Sequence, residues 1–231
     1  MGDFDAVRLL FDEYEPTVLR KYEFPRGVSL VVRSAVEERP GHLQTGIILW
    51  PGASALAHYL CAEEFDREWS HVVELGAGCG LSGLCAAAIL DKRPPSPGGS
   101  SVLFTDRDWT SLKVIKDSAV ENKFAAVKIR RKVLMWTEDG GDAQLFPRLA
   151  ECDLAIGSDL IYSTETARAL FCTLHRIMPP HGRWRFILCN SFRHPETTEI
   201  IDAICAKLGL ARRVLAADFH QCLVEQYTVR A

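Results

Sequence analysis

Beyond residue 70 the chain alternates two hydrophobic rhythms. Short apolar runs at 72–75, 101–105, 127–135, 153–157 and 184–188 are each long enough for one buried strand. Between them lie stretches that read as helices: the alanine-rich Leu84–Leu90, a segment from Asp108 to about Asn122, and Thr164–Ile177, which is stopped by Pro179 and Pro180. A further helix over Glu196–Leu208 has Gly209 as its C-terminal stop. Asp108 is placed to cap the helix that follows it. Two more strands, 210–217 and 222–229, close the chain with no helix between them, so they should pair antiparallel. This order predicts an α/β fold. It is a Rossmann-like, seven-stranded, mostly parallel sheet with helices on both faces and a C-terminal antiparallel hairpin.

Upstream the pattern is looser. Residues 5–22 mix acids with Val7, Leu9, Leu10, Phe11 and Leu19 at roughly helical spacing, which predicts an amphipathic leader. Val28–Val32 reads as a strand, and 36–44, with Pro40-Gly41, as a loop. Ser54–Cys61 reads as a helix that starts after the Pro51-Gly52 turn. No repeat or shift in composition marks a second domain. The chain therefore reads as one domain, with residues 1–45 a leader and strand and 46–231 the core.

Composition narrows the class. The 231 residues are 48% hydrophobic and 25% charged, enough for one sizeable core. A net charge of −3 and a pI near 6.2 leave no basic footprint for a nucleic-acid duplex or an anionic membrane. Eight cysteines form no CxxC pair, and Cys85, Cys172 and Cys205 sit in apolar segments. They read as reduced thiols of a cytoplasmic protein, with the nucleus as a second location. Neither they nor the histidines show metal-ligand spacing, so no metal is expected. The acidic N-terminus has no signal pattern, and the acids that follow Gly2 speak against myristoylation. No apolar run approaches the roughly 20 residues of a membrane span.

The densest chemical signal is 71–83, where Val72, Val73 and Leu75 run into Gly76, Gly78, Gly80 and Gly83. Glycine suits a turn whose backbone takes positive φ and against which a ligand lies. The amides of the following helix then face that ligand. In an open α/β sheet, ligands bind beyond the carboxyl ends of the strands. That rule selects Gly76–Gly80, Asp106, Trp136, Ser158–Tyr162 and Asn190 onward. Asp106 can accept hydrogen bonds from both ribose hydroxyls of an adenosine. Trp136 offers a flat face to adenine, and base–aromatic stacking contributes about 1–3 kcal/mol. Gly78, Gly80 and Gly83 also fit the G-x-G-x-x-G of nicotinamide-dinucleotide proteins. The long stretch before the first strand, Glu74 ahead of the first glycine and the closing hairpin all count against that reading.

Glu74-Leu75-Gly76-Ala77-Gly78-Cys79-Gly80, followed by Asp106, resembles motif I and the next acid of class I, seven-β-strand S-adenosylmethionine methyltransferases. Thr45-Gly46 through Leu49-Trp50-Pro51-Gly52-Ala53, Thr105-Asp106, Trp136 and Ser158-Asp159-Leu160-Ile161-Tyr162 together resemble the protein-lysine methyltransferases called methyltransferase family 16, over about residues 43–210. The resemblance implies S-adenosylmethionine as cofactor, with 46–231 a catalytic core. Trp50, Gly76, Ala77 and Gly78 would line it, with Asp106 on ribose and Trp136 and Ser158 at the adenosine. Glu74 would either fix the loop or receive the cofactor's ammonium through water. Asp159 and Tyr162 match the group's Asp-x-x-Tyr signature and would be the catalytic pair that orients a lysine amine.

The same resemblance implies a protein substrate, the group's own being translation elongation factors, calmodulin, chaperones, histones and similar proteins. Arginine, RNA or small-molecule methylation stays open, as does a non-catalytic cofactor-binding partner. Leu160-Ile161 replaces the two prolines common in amino-methylating nucleic-acid enzymes, and the acidic balance offers no phosphate track. Arginine methylation usually needs paired acids, and only Asp159 is evident. Phe192–Thr197 resembles the elongation factor 2 enzymes, while the Leu-Trp-Pro segment resembles the calmodulin-lysine and histone-arginine members. Tyr59, His58 and Arg193 are further groove candidates, although His58, in an apolar helix, reads better as a satisfied structural histidine.

Overall fold

The computed structural model describes residues 16–36, 45–139, 149, 152–178, 184–191 and 195–230. Its strands are β1 (Thr17–Phe24), β2 (Val28–Ala35), β3 (His71–Glu74), β4 (Ser100–Asp106), β5 (Val127–Val133), β6 (Leu154–Ser158), β7 (Arg185–Asn190), β8 (Leu210–Phe219) and β9 (Cys222–Val229). Its helices are α1 (Pro51–Glu63), α2 (Leu81–Lys92), α3 (Trp109–Asn122), α4 (Thr164–Ile177) and α5 (Pro195–Leu208). Strands β3 to β9 form one seven-stranded sheet in the order β5-β4-β3-β6-β7-β9-β8. Pairing is parallel from β5 across to β7, and β9 runs antiparallel to both β7 and β8. The expected mostly parallel sheet with one reversed strand is what forms.

Alternation along each strand builds two cores, one on each face. Val72, Leu154, Ile156, Ile187 and Cys189 join one, with α1, α2 and α3. Val73, Ala155, Phe186 and Leu188 join the other, with α4 and α5. Capping follows the chemistry of the sequence: Asp108 accepts from Thr110 N at 2.8 Å, and Ser163 caps α4 through Thr166 N at 3.1 Å. Gly209 takes φ 67° after α5.

Several boundaries differ from the sequence reading, and three of them have a clear physical reason or bear on the site. Residues 17–22 are strand, not helix; Thr17, Val18, Leu19 and Tyr22 favour extended backbone, and β1 pairs along its whole length with β2. The remainder of that leader, residues 5–15, lies outside the described residues, as do 37–44 of the proposed loop and Arg193. Helix α1 begins at Pro51 rather than at Ser54. Proline suits the first helical position, whose amide has no intrahelical partner. Strand β5 ends at Val133, short of Met135.

The β1–β2 hairpin is moored on α3. The Asn122 side chain accepts from Val31 N at 2.8 Å and donates to Val31 O at 2.6 Å, and Ser118 Oγ accepts from Arg33 N at 2.9 Å. The closing hairpin is fastened by charge. Arg212 of β8 donates to Glu225 Oε1 of β9 and to Asp202 Oδ1 of α5, both at 2.7 Å, and Tyr227 OH donates to Glu225 Oε2 at 2.9 Å. At the opposite edge of the sheet, β5 carries Lys128, Arg130, Arg131 and Lys132 within five residues.

Candidate active site

The order of crossovers reverses between β3 and β6, so the turn after β3 sits at the switch point of the sheet. Gly76 and Gly78 both take φ 55°, and Gly80, with φ 79°, caps α2. Close approach explains two of these glycines beyond their φ. A Cβ on Gly76 would lie 2.7 Å from Leu160 Cδ2 and 3.0 Å from the Trp136 ring. One on Gly78 would lie 2.9 Å from the Gly46 carbonyl oxygen. The loop is held from below by Ala77 N, which donates to Thr105 O at 2.9 Å.

Asp106 follows β4 and closes on this turn. Its Oδ2 accepts from Gly78 N and its Oδ1 from Asp108 N, both at 2.9 Å. Burial raises its carboxyl above the usual range, against the pull of those amides. Each oxygen thus has one protein donor and keeps a lone pair for a ligand hydroxyl. Trp136, three residues past β5, is partly buried and lies against Gly76. Trp50 is the extended residue before α1; its indole donates to Thr45 O at 3.2 Å, and 39% of its surface is exposed. Gly76, Gly78, Asp106 and Trp136 are therefore brought into one cradle, with Trp50 and the 45–50 segment above it.

Glu74 lies behind the cradle, 2% exposed, its carboxyl facing the Gly83 amide and Ser82 of α2. Oε2 has no hydrogen-bond partner of ordinary geometry. Burial is the main cause that pushes this group up to about 8, and the negative charge of Asp106 acts in the same sense. The folded carboxyl holds its proton more tightly than the unfolded chain, where glutamate titrates near 4.3. Its contribution to stability is thus full below about pH 4 and is lost as pH rises towards about 8. Glu74→Gln removes that dependence. Its melting temperature, relative to the unaltered chain, should climb steadily from about pH 5 to about pH 8. A difference that stays flat with pH would show that Glu74 is ionised throughout.

A second cluster is built from the ends of β6 and β7. Asp159 takes φ 51°, a strained conformation for a residue with a side chain. Its Oδ2 accepts from Gly52 N at 2.7 Å, and its Oδ1 accepts from Ser191 N at 2.6 Å and Ser191 Oγ at 2.7 Å. The carboxylate clasps the first turn of α1 to the end of β7. Ser158, the last residue of β6, is half-buried beside it. Tyr162 is 74% exposed. His58 Nδ1 lies 2.9 Å from Ser54 O, as a satisfied histidine would, and its ring and that of Tyr59 face the β8–β9 turn rather than the glycine turn. Sequence reasoning gave no site role to Ser191, Gly52 or Gly46, although the two glycines lie in the 45–53 segment it singled out. Ser191 sat in a region marked as informative, just past a strand, but its spacing carried no pattern.

A fold of this order, with a glycine turn and an acid at its switch point, defines the class of Rossmann-like methyltransferases. The solved structure of TYW2 from P. horikoshii in complex with MeSAdo has the same fold, with a TM-score of 0.56 at 12% identity over 94% of this chain and 74% of that one. Residues 34–206 match the family described as lysine methyltransferase, and the chain belongs to that family. It is 31% identical over 178 residues to EEF1A lysine methyltransferase 3 of Mus musculus, covering 77% of this chain and 66% of the relative. It is also 31% identical over 139 residues to protein N-lysine methyltransferase METTL21A of Danio rerio, covering 58% of this chain and 56% of the relative. The chain thus spans less than two thirds of the length of either relative.

Proposed function

We propose that this chain transfers a methyl group from S-adenosylmethionine to the side-chain amine of a lysine in a protein. The observation that carries this is the cradle in which Asp106 is tied to the Gly78 amide while Trp136 lies against Gly76. Family membership and the names of its relatives support lysine as acceptor and, through EEF1A, a translation factor as substrate. Eight free thiols suit a reducing compartment, cytoplasm or nucleus.

S-adenosylmethionine, when bound, supplies an electrophilic methyl on a positive sulfur. Gly76, Ala77 and Gly78 would hold its amino-acid end, with Glu74 behind them; Asp106 would hold the ribose, and Trp136, Ser158 and Trp50 the base and the roof. The chain's own task is alignment, worth several orders of magnitude in rate when reacting atoms are held at about 3–3.5 Å. A lysine ammonium, with a pKa of about 10.4 in water, must first lose a proton. Burial lowers that value, and the proton leaves through water. Asp159 then orients the amine rather than acting as a strong base. Its Oδ1 already takes two hydrogen bonds, whereas Oδ2 takes one and keeps a lone pair for an amine N–H. Tyr162 presents its hydroxyl to an incoming side chain.

The test is transfer of radiolabelled methyl from S-adenosylmethionine into a cell extract, with hydrolysis of the labelled product. Methyl-lysine in a protease-sensitive band is the expected result. Label that resists protease but is lost with nuclease would move the activity to RNA. In the same assay Asp106→Ala should raise the half-saturating concentration of S-adenosylmethionine by about ten- to 150-fold, since a hydrogen bond to a charged group contributes about 1.5–3 kcal/mol.

A further inference from the structure

Strands β8 and β9 are joined by two residues, His220 and Gln221, and both take left-handed φ, 51° and 63°. Turns of this kind favour Asn-Gly, and residues with longer side chains are strained there. Strand β8 also slips register against β9 twice, between Val214 and Ala216 and between Ala216 and Phe219. Such bulges bend a strand and re-aim its side chains.

The turn lies on the ligand edge of the sheet. Asn190, the last residue of β7, pairs with Leu223, two residues beyond Gln221, and the next residue, Ser191, bonds to Asp159. A stack of rings fixes it there. His220 lies 4.7 Å from His58 and 4.8 Å from Phe219, and Phe219 lies 5.6 Å from Tyr59, centroid to centroid. His58 and Tyr59 belong to α1, the helix whose first turn Asp159 clasps. His220 and Gln221 themselves are exposed. A strained, ring-braced turn that holds an imidazole and a carboxamide out at the rim is more than a connector.

We infer that His220 and Gln221 contact the methyl-accepting protein beside its target side chain and help decide which protein is accepted. This rests on the protein-methylation reading above. Imidazole and carboxamide both donate and accept hydrogen bonds, which suits the backbone and polar side chains of a folded partner. Their place is two strands along the sheet from Asp159's own, at the edge of the acceptor side and outside the methyl-transfer machinery.

The double variant His220→Asn with Gln221→Gly separates the two possibilities, because a mere connector gains from it. The acceptor used is the protein band that the unaltered enzyme labels in a desalted cell extract, titrated by extract concentration. The inference expects a melting temperature equal or higher and an unchanged affinity for S-adenosylmethionine. It also expects a half-saturating extract concentration at least about tenfold higher, with maximal rate within about twofold. An unchanged half-saturation, or a fall confined to the maximal rate, overturns it while protein methylation stands. An unaltered enzyme that binds S-adenosylmethionine yet labels no protein overturns the methylation reading, and this inference with it.

Discussion

Gly52→Ala is expected to lower methyl transfer by about a hundredfold while the fold and cofactor affinity stay close to normal. Gly52 is the second residue of α1 and is buried. A Cβ there would lie 2.6 Å from Asp159 Oδ2 and 2.7 Å from Asp159 Cγ, so the carboxylate must move. It has little room. Its Oδ1 is held by Ser191, its amide donates to Cys189 O at 2.9 Å, and its backbone is left-handed. The helix itself does not suffer, since alanine is a better helix former than glycine by about 1 kcal/mol. The cost falls on alignment, where a displacement of about 1 Å costs about a hundredfold in rate. Single-turnover rates at saturating S-adenosylmethionine measure it. Normal turnover in this variant would remove Asp159 from the reaction and leave it a structural clasp.

Arg212→Met should be among the most destabilising single changes in the closing hairpin. Glu225 is 1% exposed, and without Arg212 its charge keeps, among the described residues, the Tyr227 hydroxyl. Breaking a buried ion pair from one side costs about 3–5 kcal/mol. In a chain of this length each kcal/mol moves the melting temperature by about 2–4 °C, so a drop of roughly 6–20 °C follows. Adding Glu225→Gln should recover part of it, because the stranded charge is then gone. A drop below about 3 °C, or a double variant no better than the single one, would mean that the Arg212–Glu225 pair contributes little to the hairpin.

What the sequence disclosed and what it hid divide by distance along the chain. The glycine turn was legible because His71 to Gly83 contain the strand, the turn and the start of the helix in thirteen consecutive positions. The cap at Asp108 is equally local, reaching two residues ahead. The clasp between Asp159 and Gly52 spans 107 residues, and no spacing announces it. The same holds for Trp136 against Gly76 and for Gly46 against Gly78, where only folding brings the pieces together. Strand β1 was misread for another reason. Its apolar residues sit at intervals that fit either period, and the partner that decides the matter, β2, is paired residue for residue only in the folded chain. Position along the fold was thus easier to read than partnership within the site.

The basic run on β5 has a bearing on how the molecule keeps to itself. The sheet ends at β5 on one side, and any terminal strand offers a row of backbone groups to a neighbour. Lys128, Arg130, Arg131 and Lys132 leave only Ile129 as an uncharged residue between the two terminal valines. Two copies brought edge to edge there would set like charges against one another in the forming ladder, at a spacing of about 4.8 Å. Among the described residues the sheet thus finishes at a strand whose own charge disfavours recruiting a second sheet at this border.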